Sequence, residues 1–262
     1  MNRPRCLDLF CGAGGAAMGL HRAGFDVVGI DIKRQKRYPF PFIQGDALNP
    51  PVRLEDFDLI WASPPCQAHT SLRKMWNSRK HEDLVPQTRA LLASHPFTAI
   101  ENVVVAPLLN PVRLCGTSFG LGVRDAELRR HRLFECSFFV MAPECLHGQR
   151  VAGVYGGHVR DRCRTLGVYG EAARLSVDDS RGTISINGHS PFNVDRRKTI
   201  SVTGSTPQQN VVRNRVRETY SADDAREAMG IDWTTLAELC QAVPPAYSEH
   251  IGRYAMMALG RE

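Results

Sequence analysis

The first hundred residues alternate short apolar runs with longer stretches in which apolar residues recur at helical spacing. Four of the apolar runs have strand length and are predicted as buried strands: Arg5–Phe10, Asp26–Asp31, Asp58–Ala62 and Thr98–Val103. Helices are predicted after the small-residue loop Cys11–Gly15, to about Ala23, and at about Leu84–Ser94. Strands that alternate with helices predict an α/β fold with a doubly wound, mostly parallel sheet, and such sheets bind ligands at the carboxyl ends of their strands.

The pattern changes near Gln149, where short β-branched runs separated by glycine favour hairpins over helices. A capping-box-like start at Ser221 and an apolar pattern over Ala246–Leu259 predict a return to helices. The predicted division is therefore one catalytic domain made of residues 1–148 and 218–262, with a small β-rich lobe of residues 149–217 between its two parts.

The composition is that of an ordinary globular protein, with 43% apolar and 23% charged residues among 262. The N-terminus has no signal-peptide apolar core, and no run approaches the roughly 18 apolar residues of a membrane helix. The eight cysteines lack the spacing of a disulfide framework. We therefore expect a cytoplasmic protein with reduced thiols and no membrane partner.

The net charge of +6 is concentrated in the predicted lobe. Residues 149–217 contain twelve Lys and Arg against five Asp and Glu, whereas the rest of the chain contains 21 basic and 22 acidic residues. Such a segment suits a phosphate backbone. Charge alone leaves a well-solvated basic insertion as an alternative.

A glycine-rich loop, Asp8–Gly15, follows the first predicted strand and leads into a helix. Glycines allow close approach of a ligand to the backbone, and a helix N-terminus offers free N–H groups. Asp31 ends the second strand, where a carboxylate can bind a ribose diol, and Asp46 follows the third, where it can accept from an adenine amino group. The loop is not Gly-x-Gly-x-x-Gly, so a dinucleotide is not indicated. A glycine turn with two capping aspartates is the alternative.

Cys66 lies in Ser63-Pro-Pro-Cys-Gln67, directly after the strand Asp58–Ala62. The two prolines stiffen the loop and present the thiol at a fixed place, where it can act as a nucleophile. Glu101 ends the next strand and is expected near this loop. A thiolate that adds to C6 of cytosine, with an acid at N3, makes C5 nucleophilic enough to accept a methyl group, and the base must first leave the duplex stack. A buried structural cysteine is the alternative, a role that fits Cys115, Cys136 and Cys240 better.

Five ordered segments resemble the motifs of DNA cytosine-C5 methyltransferases: Phe10–Gly15, Pro64–Gln67, Glu101–Val103, Leu128–Phe134 with its paired arginines, and Ala242–Pro245 followed by Ile251-Gly252. The resemblance implies a class I methyltransferase fold, which is Rossmann-like, with the lobe as a target-recognition region. It implies S-adenosylmethionine as cofactor, released as S-adenosylhomocysteine, and double-stranded DNA as partner. It also implies a prokaryotic or phage-infected cell, a monomer and, where a restriction-modification system exists, a separate restriction enzyme.

The resemblance also assigns roles to individual residues. The catalytic set is Cys66 as nucleophile, Glu101 as the acid at N3, and Arg130 and Arg132 as base contacts, with Arg132 at the cytosine oxygen. The cofactor set is Phe10, Gly12, Gly14, Asp31, Asp46 and Pro64. The DNA-contacting set is Gln67, Thr70, Arg73 and Lys74.

This chain departs from the family pattern at several positions. Leu128 stands where the family has Gln, Cys240-Gln241 stands where it has Gly-Asn, and Asp31 stands where Glu is more common. The loop after Cys66 is basic and lacks the usual glycines. Two further functions therefore stay open: a DNA-binding protein with little catalysis on this scaffold, and a tRNA cytosine methyltransferase, since phosphate contacts carry no sequence information.

Clustered cysteines and histidines raise a zinc hypothesis for the lobe: Cys136, Cys145, His147, His158 and Cys163. Because no Cys-x-x-Cys pair is present, the sequence predicts no metal site.

Tyr155 and Tyr169 could stack on bases, but packing within hairpins is the simpler interpretation. The arginines at 129–132 could also be only a surface basic cluster.

Overall fold

A computed structural model describes residues 2–69, 81–123, 126–147 and 222–261, together with the backbone of five strands between residues 151 and 193. Its strands, in chain order, are β1 (Arg5–Leu9), β2 (Asp26–Asp31), β3 (Phe42–Gln44), β4 (Leu59–Ala62), β5 (Thr98–Asn102), β6 (Val112–Leu114), β7 (Gly122–Val123), β8 (Ala126–Leu128), β9 (Arg132–Cys136), β10 (Val151–Tyr155), β11 (His158–Arg162), β12 (Leu175–Asp178), β13 (Thr183–Ile186) and β14 (His189–Asn193). Its helices are α1 (Gly15–Arg22), α2 (Val85–Leu92), α3 (Ala222–Met229), α4 (Leu236–Gln241) and α5 (Pro245–Ala258).

The main sheet has seven strands in the order β3-β2-β1-β4-β5-β9-β6. Neighbouring strands from β3 to β5 pair in parallel, and β9 pairs antiparallel with both β5 and β6. Alternate residues of the strands enter two apolar layers, so that Cys6 and Trp61 pack with α1 and α5 whereas Leu7 and Ile60 pack with α2. The predicted doubly wound, mostly parallel α/β sheet is confirmed.

The antiparallel strand β9 brings a later part of the chain to the edge where ligands bind. Since β9 runs opposite to β5, its first residue lies at the carboxyl ends of the parallel strands. The register pairs Asn102 at the end of β5 with Leu133, and Leu114 at the end of β6 with Arg132. Residues just before β9 and just after β6 therefore lie at the same edge as the loops that follow β1, β4 and β5.

The C-terminal helix α5 completes the sheet domain by packing on α1. Glycines allow this close contact, because a Cβ at Gly19 would lie 2.0 Å from the Pro245 carbonyl oxygen and one at Gly252 would lie 2.7 Å from the Ala23 Cβ. Both helices sit over the same apolar layer of the sheet. The last part of the chain therefore folds back onto the first.

Two smaller sheets contain the strands of the predicted lobe. One has the order β11-β10-β8-β7, and the other is the antiparallel sheet β12-β13-β14. Strands from before residue 149 thus share a sheet with strands from after it, and the exact division into lobe and catalytic domain stays a prediction. Within the described residues, no helix is both long enough and apolar enough to cross a membrane.

Candidate active site

The loop that carries Cys66 is fastened to two neighbouring strands. The Ser63 N–H donates to the Leu9 carbonyl at 3.0 Å, and Asn102 Nδ2 donates to the Pro64 carbonyl at 3.0 Å. Cys66 then begins a short 3₁₀ turn, Cys66–Ala68, and is half-buried. Because Asn102 is itself buried at the end of β5, the prolines and this amide together fix where the thiol is presented.

Glu101 is buried beside this loop and is held by two partners. Its Oε1 lies 3.0 Å from Nε of Arg132, whose side chain is also buried, and it forms a hydrogen bond with Ser63. The Ser63 hydroxyl in turn accepts from the Trp61 Nε1 at 3.0 Å. Burial raises the pKa of Glu101, and the nearby Arg132 and Arg130 oppose this rise. A carboxyl group with a raised pKa is one that can hold a proton and donate it.

The Cys66 thiol shares the same electrostatic environment. Burial raises its pKa, Arg132 lowers it, Glu101 raises it and Arg130 lowers it again. The net effect favours the thiol over the thiolate. The two arginines therefore favour the ionised form of Cys66 in this pocket.

Arg130 and Arg132 are both buried, so they are not a surface basic cluster, but they have different partners. Arg130 donates through one terminal nitrogen to the carbonyls of Cys240 and Ala242, at 2.7 and 2.9 Å. Its own carbonyl accepts from the Tyr247 hydroxyl. Arg130 therefore ties the start of β9 to the closing segment Ala242–Pro245, whereas Arg132 faces Glu101.

The departures at Leu128 and Cys240 fit this arrangement. Leu128 is buried in an apolar cluster with Met229 and Leu239, where an amide side chain would need a partner. Cys240 contributes its backbone carbonyl to Arg130, which leaves the side chain free to differ. The contacts described for Leu128 and Cys240 do not include Glu101 or Arg132.

The glycine-rich loop lies at the same edge of the sheet, between β1 and α1. Phe10 and Gly12 have positive φ angles of 56° and 49°, which turn the chain sharply after β1. The Asp31 carboxylate accepts from the N–H groups of Gly12 at 3.1 Å and Lys33 at 2.8 Å. A carboxylate has about four acceptor positions, so Asp31 keeps capacity for a ligand hydroxyl.

The space around this loop tests whether a cofactor fits. A Cβ at Gly12 would meet nothing within 4 Å, so this backbone faces open space. Gly14 differs, because its Cβ would meet Pro39 at 2.7 Å and Tyr38 at 2.9 Å, and its small size serves packing. An open backbone turn beside a carboxylate and an N-terminal helix end fits the sulfonium, diol and purine of S-adenosylmethionine.

The remaining predicted cofactor residues take different positions. Asp46 is exposed and its Oδ1 accepts from the Leu48 N–H at 2.9 Å, which forms a local turn. Pro64 is buried, with its carbonyl bound by Asn102. Ile32 directly follows Asp31 and is 69% exposed, so it offers an apolar surface at this edge.

The predicted DNA-contacting residues are only partly described. Gln67 is exposed next to Cys66. Thr70, Arg73 and Lys74 lie outside the described residues, as do Cys163 and Tyr169. His69, just before Thr70, and Asp83, after Lys74, are paired, because His69 Nε2 lies 2.9 Å from Asp83 Oδ1.

Sequence reasoning missed several residues that shape the site. Ser63 and Asn102 stand inside quoted motifs but had no role, because a hydroxyl and an amide give no chemical signal without their partners. Tyr247 was also missed, and Trp233 is interpreted from sequence simply as a core residue. Trp233 donates its Nε1 to the Ala13 carbonyl at 2.8 Å and so ties the C-terminal part to the glycine-rich loop.

Comparisons with known proteins give a family match for part of the chain and a shared fold for the whole. Residues 4–103 match the family described as C-5 cytosine-specific DNA methylase. A search of curated protein sequences finds no match. The fold is similar to that of the Dnmt2 methyltransferase of S. pombe, with a TM-score of 0.50 and 14% identity over 98% of this chain and 99% of that chain.

The fold is also similar to that of the Entamoeba histolytica methyltransferase EhMeth, with a TM-score of 0.55 and 10% identity over 99% of each chain. At these identities the likenesses show a shared fold, that of class I methyltransferases. The matched residues 4–103 contain the glycine-rich loop, Cys66 and Glu101. This segment, which is less than half of the chain, is similar to the C-5 cytosine-specific DNA methylase family.

Proposed function

We propose that the protein methylates C5 of cytosine in double-stranded DNA, with S-adenosylmethionine as methyl donor. The observation that carries the proposal is the grouping of Cys66, Glu101 and Arg132 at one edge of the sheet. Arg132 lies 3.0 Å from Glu101, and both act electrostatically on the Cys66 thiol. A nucleophile, an acid and a fixed cation around one pocket are the groups that activation of a cytosine ring requires.

The reaction begins when Cys66, as thiolate, adds to C6 of the base. Glu101 donates its proton to N3 as the ring accepts the electron pair, and Arg132 binds the base oxygen while it holds the Glu101 carboxylate. C5 would then take up the methyl group that S-adenosylmethionine supplies, with S-adenosylhomocysteine as the leaving group. A base removes the C5 proton, the Cys66–C6 bond breaks with return of the thiolate, and Glu101 recovers the proton from N3.

The methyl donor would be held by the loop Phe10–Gly15, with Asp31 at its ribose hydroxyls and Asp46 at its adenine. Ile32 would cover one face of the purine. When bound there, S-adenosylmethionine supplies an electrophilic methyl group on a sulfonium. Trp233 ties the C-terminal part of the chain to this loop, and Arg130 ties the closing segment to the start of β9.

Duplex DNA is the substrate that we propose, because the charge distribution suits a nucleic acid and the family description that matches residues 4–103 names DNA. Residues 149–217 carry all of the excess positive charge of the chain, and a phosphate backbone is the partner that such a segment attracts. The target base must be turned out of the stack to reach Cys66. The basic segment would then hold the duplex while the exposed Gln67 lies beside the opening.

The test is a covalent trap on duplex DNA that contains 5-fluorocytosine. Fluorine cannot leave C5 as a proton does, so the Cys66–C6 bond persists after methyl transfer. We expect a denaturation-resistant complex that requires S-adenosylmethionine, survives Cys240→Ser and disappears in Cys66→Ser. Methyl transfer at the native rate by Cys66→Ser would refute the mechanism.

A second assay, which measures methyl incorporation, separates the other two functions. Labelled methyl groups are offered to duplex DNA and tRNA in competition. Preferential incorporation into tRNA would assign the enzyme to RNA. Tight DNA binding with no incorporation into either polymer would identify a DNA-binding protein on a methyltransferase scaffold.

A further inference from the structure

Four side chains outside the reaction site form a compact cluster of metal-ligating atoms. Cys115, His131, Cys145 and His147 each direct one sulfur or nitrogen atom inward, and these four atoms all lie within 4.8 Å of one another. Cys115 is buried, His131 and Cys145 are half-buried, and His147 is exposed. Two thiols and two imidazoles are a common ligand set of structural zinc sites.

The sheet register explains why the first two members meet. Leu114, the last residue of β6, pairs with Arg132, the first residue of β9. One step beyond this pair, Cys115 follows β6 and His131 precedes β9. The antiparallel pairing therefore places them side by side at the carboxyl edge of the sheet.

The other two members arrive on an irregular segment that returns along α5. After β9 ends at Cys136, residues 137–147 contain no helix or strand. Met141 in this segment accepts through its carbonyl from His250 Nε2 at 2.8 Å, and the Phe139 and Tyr254 rings lie 6.1 Å apart. The segment ends at Cys145 and His147, shortly before β10.

The distances between the ligand atoms, from 2.9 Å up to at most 4.8 Å, are close to the edges of a tetrahedron around one ion. Bond lengths of about 2.3 Å to sulfur and about 2.0 Å to nitrogen give edges between ligand atoms of roughly 3.3 to 3.8 Å. Nε2 of His147 lies 3.5 Å from Cys115 Sγ and 2.9 Å from Cys145 Sγ, and Nε2 of His131 lies 3.3 Å from Cys145 Sγ. The Thr117 hydroxyl donates to Cys115 Sγ at 3.3 Å, which is the outer support that a ligating sulfur commonly has.

We propose that Cys115, His131, Cys145 and His147 bind one zinc ion in a structural Cys2His2 site. Four protein ligands leave no open position, so the ion serves the fold and does not take part in the reaction. It holds the end of the segment 137–147, which has no ladder hydrogen bonds of its own, at the entrance to the basic lobe. It also fixes His131, which stands between Arg130 and Arg132, and so links that entrance to the reaction site.

This site differs from the zinc hypothesis that the sequence raised. Cys145 and His147 belong to both sets, but Cys115 was interpreted as a structural cysteine and His131 was not considered. Cys136 lies at the opposite end of β9 from His131 and is not part of the cluster. The separation between Cys115, His131 and Cys145 gives no recognisable spacing, because the sheet and not a short loop brings them together.

The first experiment is metal analysis of the full chain purified with zinc present and a reducing agent. We expect one zinc ion per chain in the native protein and in Cys136→Ser, which removes a thiol outside the cluster. The variant with Cys145→Ser and His147→Ala changes the two outermost members and should lose most of the metal. Equal zinc contents in this variant and the native protein would overturn the proposal.

The second experiment uses cobalt as a probe and does not depend on a variant that must fold. Replacement of zinc by Co²⁺ should give the intense visible bands of tetrahedral coordination and a thiolate-to-cobalt charge-transfer band. Absence of both, or a Cys115–Cys145 disulfide that persists in reductant, would show that the cluster does not bind metal. The readouts need no activity, so the result is independent of the proposed reaction.

Discussion

Nε of Arg132 lies 3.0 Å from Oε1 of Glu101, and both side chains are buried at the carboxyl edge of the main sheet. They are 31 positions apart in the chain and meet because β9 runs antiparallel to β5. The cation opposes the rise in pKa that burial gives to both Glu101 and Cys66. Arg132 therefore affects the protonation of Cys66 and of Glu101 together.

Replacement of Arg132 should therefore change the pH dependence of methyl transfer. In Arg132→Ala the pKa of Cys66 rises, so less thiolate forms at neutral pH and the ascending limb of the pH–rate profile moves to higher pH. Loss of a fixed cation at the reacting base should lower the single-turnover rate by at least ~100-fold. Rapid-quench assays across the pH range measure both effects.

Arg132→Lys and Arg89→Ala are the matched controls. Lysine retains the charge without the planar guanidinium. The ascending limb of the pH–rate profile should therefore stay close to its native pH, while the rate falls. Arg89 binds Glu135 through two hydrogen bonds of 2.7 Å away from the pocket, and its loss should cost stability without moving the limb. An unmoved limb in Arg132→Ala would contradict the electrostatic role.

Asp8 predicts a pH dependence of stability. It is buried in β1, accepts from the Tyr38 hydroxyl at 3.2 Å, and burial raises its pKa from 3.8 to about 8. The folded chain thus binds a proton that the unfolded chain releases. Between these pKa values the free energy of unfolding should fall, as pH rises, by about 1.4 kcal/mol per pH unit from this group.

Asp8→Asn, a neutral isostere, should remove this contribution. Urea unfolding at several pH values would measure this. The free energy of unfolding of the variant should increase relative to that of the native protein as pH rises towards about 8. Tyr38→Phe removes a hydrogen bond that lowers the pKa of Asp8, so the pH-dependent loss should extend to higher pH. A stability difference that stays constant with pH would show that Asp8 is ionised throughout.

Two glycines should respond to alanine in opposite ways. Gly19→Ala places a Cβ 2.0 Å from the Pro245 carbonyl oxygen, so α1 and α5 must separate, at a cost of about 3 kcal/mol. In Gly12→Ala the new Cβ meets open space, so the only loss of stability comes from the φ of 49°, at about 1–2 kcal/mol. Its methyl group would instead enter the cofactor space and weaken binding of S-adenosylmethionine about tenfold.

Calorimetric titration and thermal unfolding of the two variants separate these effects. Gly19→Ala should show the larger loss of stability, and Gly12→Ala the larger loss of cofactor affinity relative to its stability. The opposite order would place the cofactor away from the loop Phe10–Gly15.

Arg130 is expected to act through the fold. Arg130→Met removes the hydrogen bonds to the carbonyls of Cys240 and Ala242, which should cost about 3 kcal/mol and speed hydrogen exchange in α4. Tyr247→Phe removes the bond to the Arg130 carbonyl and should show a smaller loss of the same kind. A variant with native stability and exchange but a lower rate would instead make Arg130 a base contact.

The sequence by itself predicted the candidate chemistry and determined the types of the main elements. Apolar runs gave β1, β2, β4 and β5 to within a residue or two, because a strand buried on both faces is a local signal. Cys66 between two prolines and Gln67, and the glycines before α1, are likewise local, since loop stiffness and backbone freedom belong to the residues themselves. The doubly wound fold followed from their order along the chain.

The tertiary structure decided which residues meet. Nothing in the spacing distinguishes Arg132, which faces Glu101, from Arg130, which binds the closing segment, because both lie before or at the start of a strand whose direction the sequence does not reveal. The cluster of Cys115, His131, Cys145 and His147 likewise depends on antiparallel register and on a returning segment. Pairing between strands that are distant in the chain is set by the packing of the whole sheet. Local sequence patterns therefore do not predict which of these residues meet.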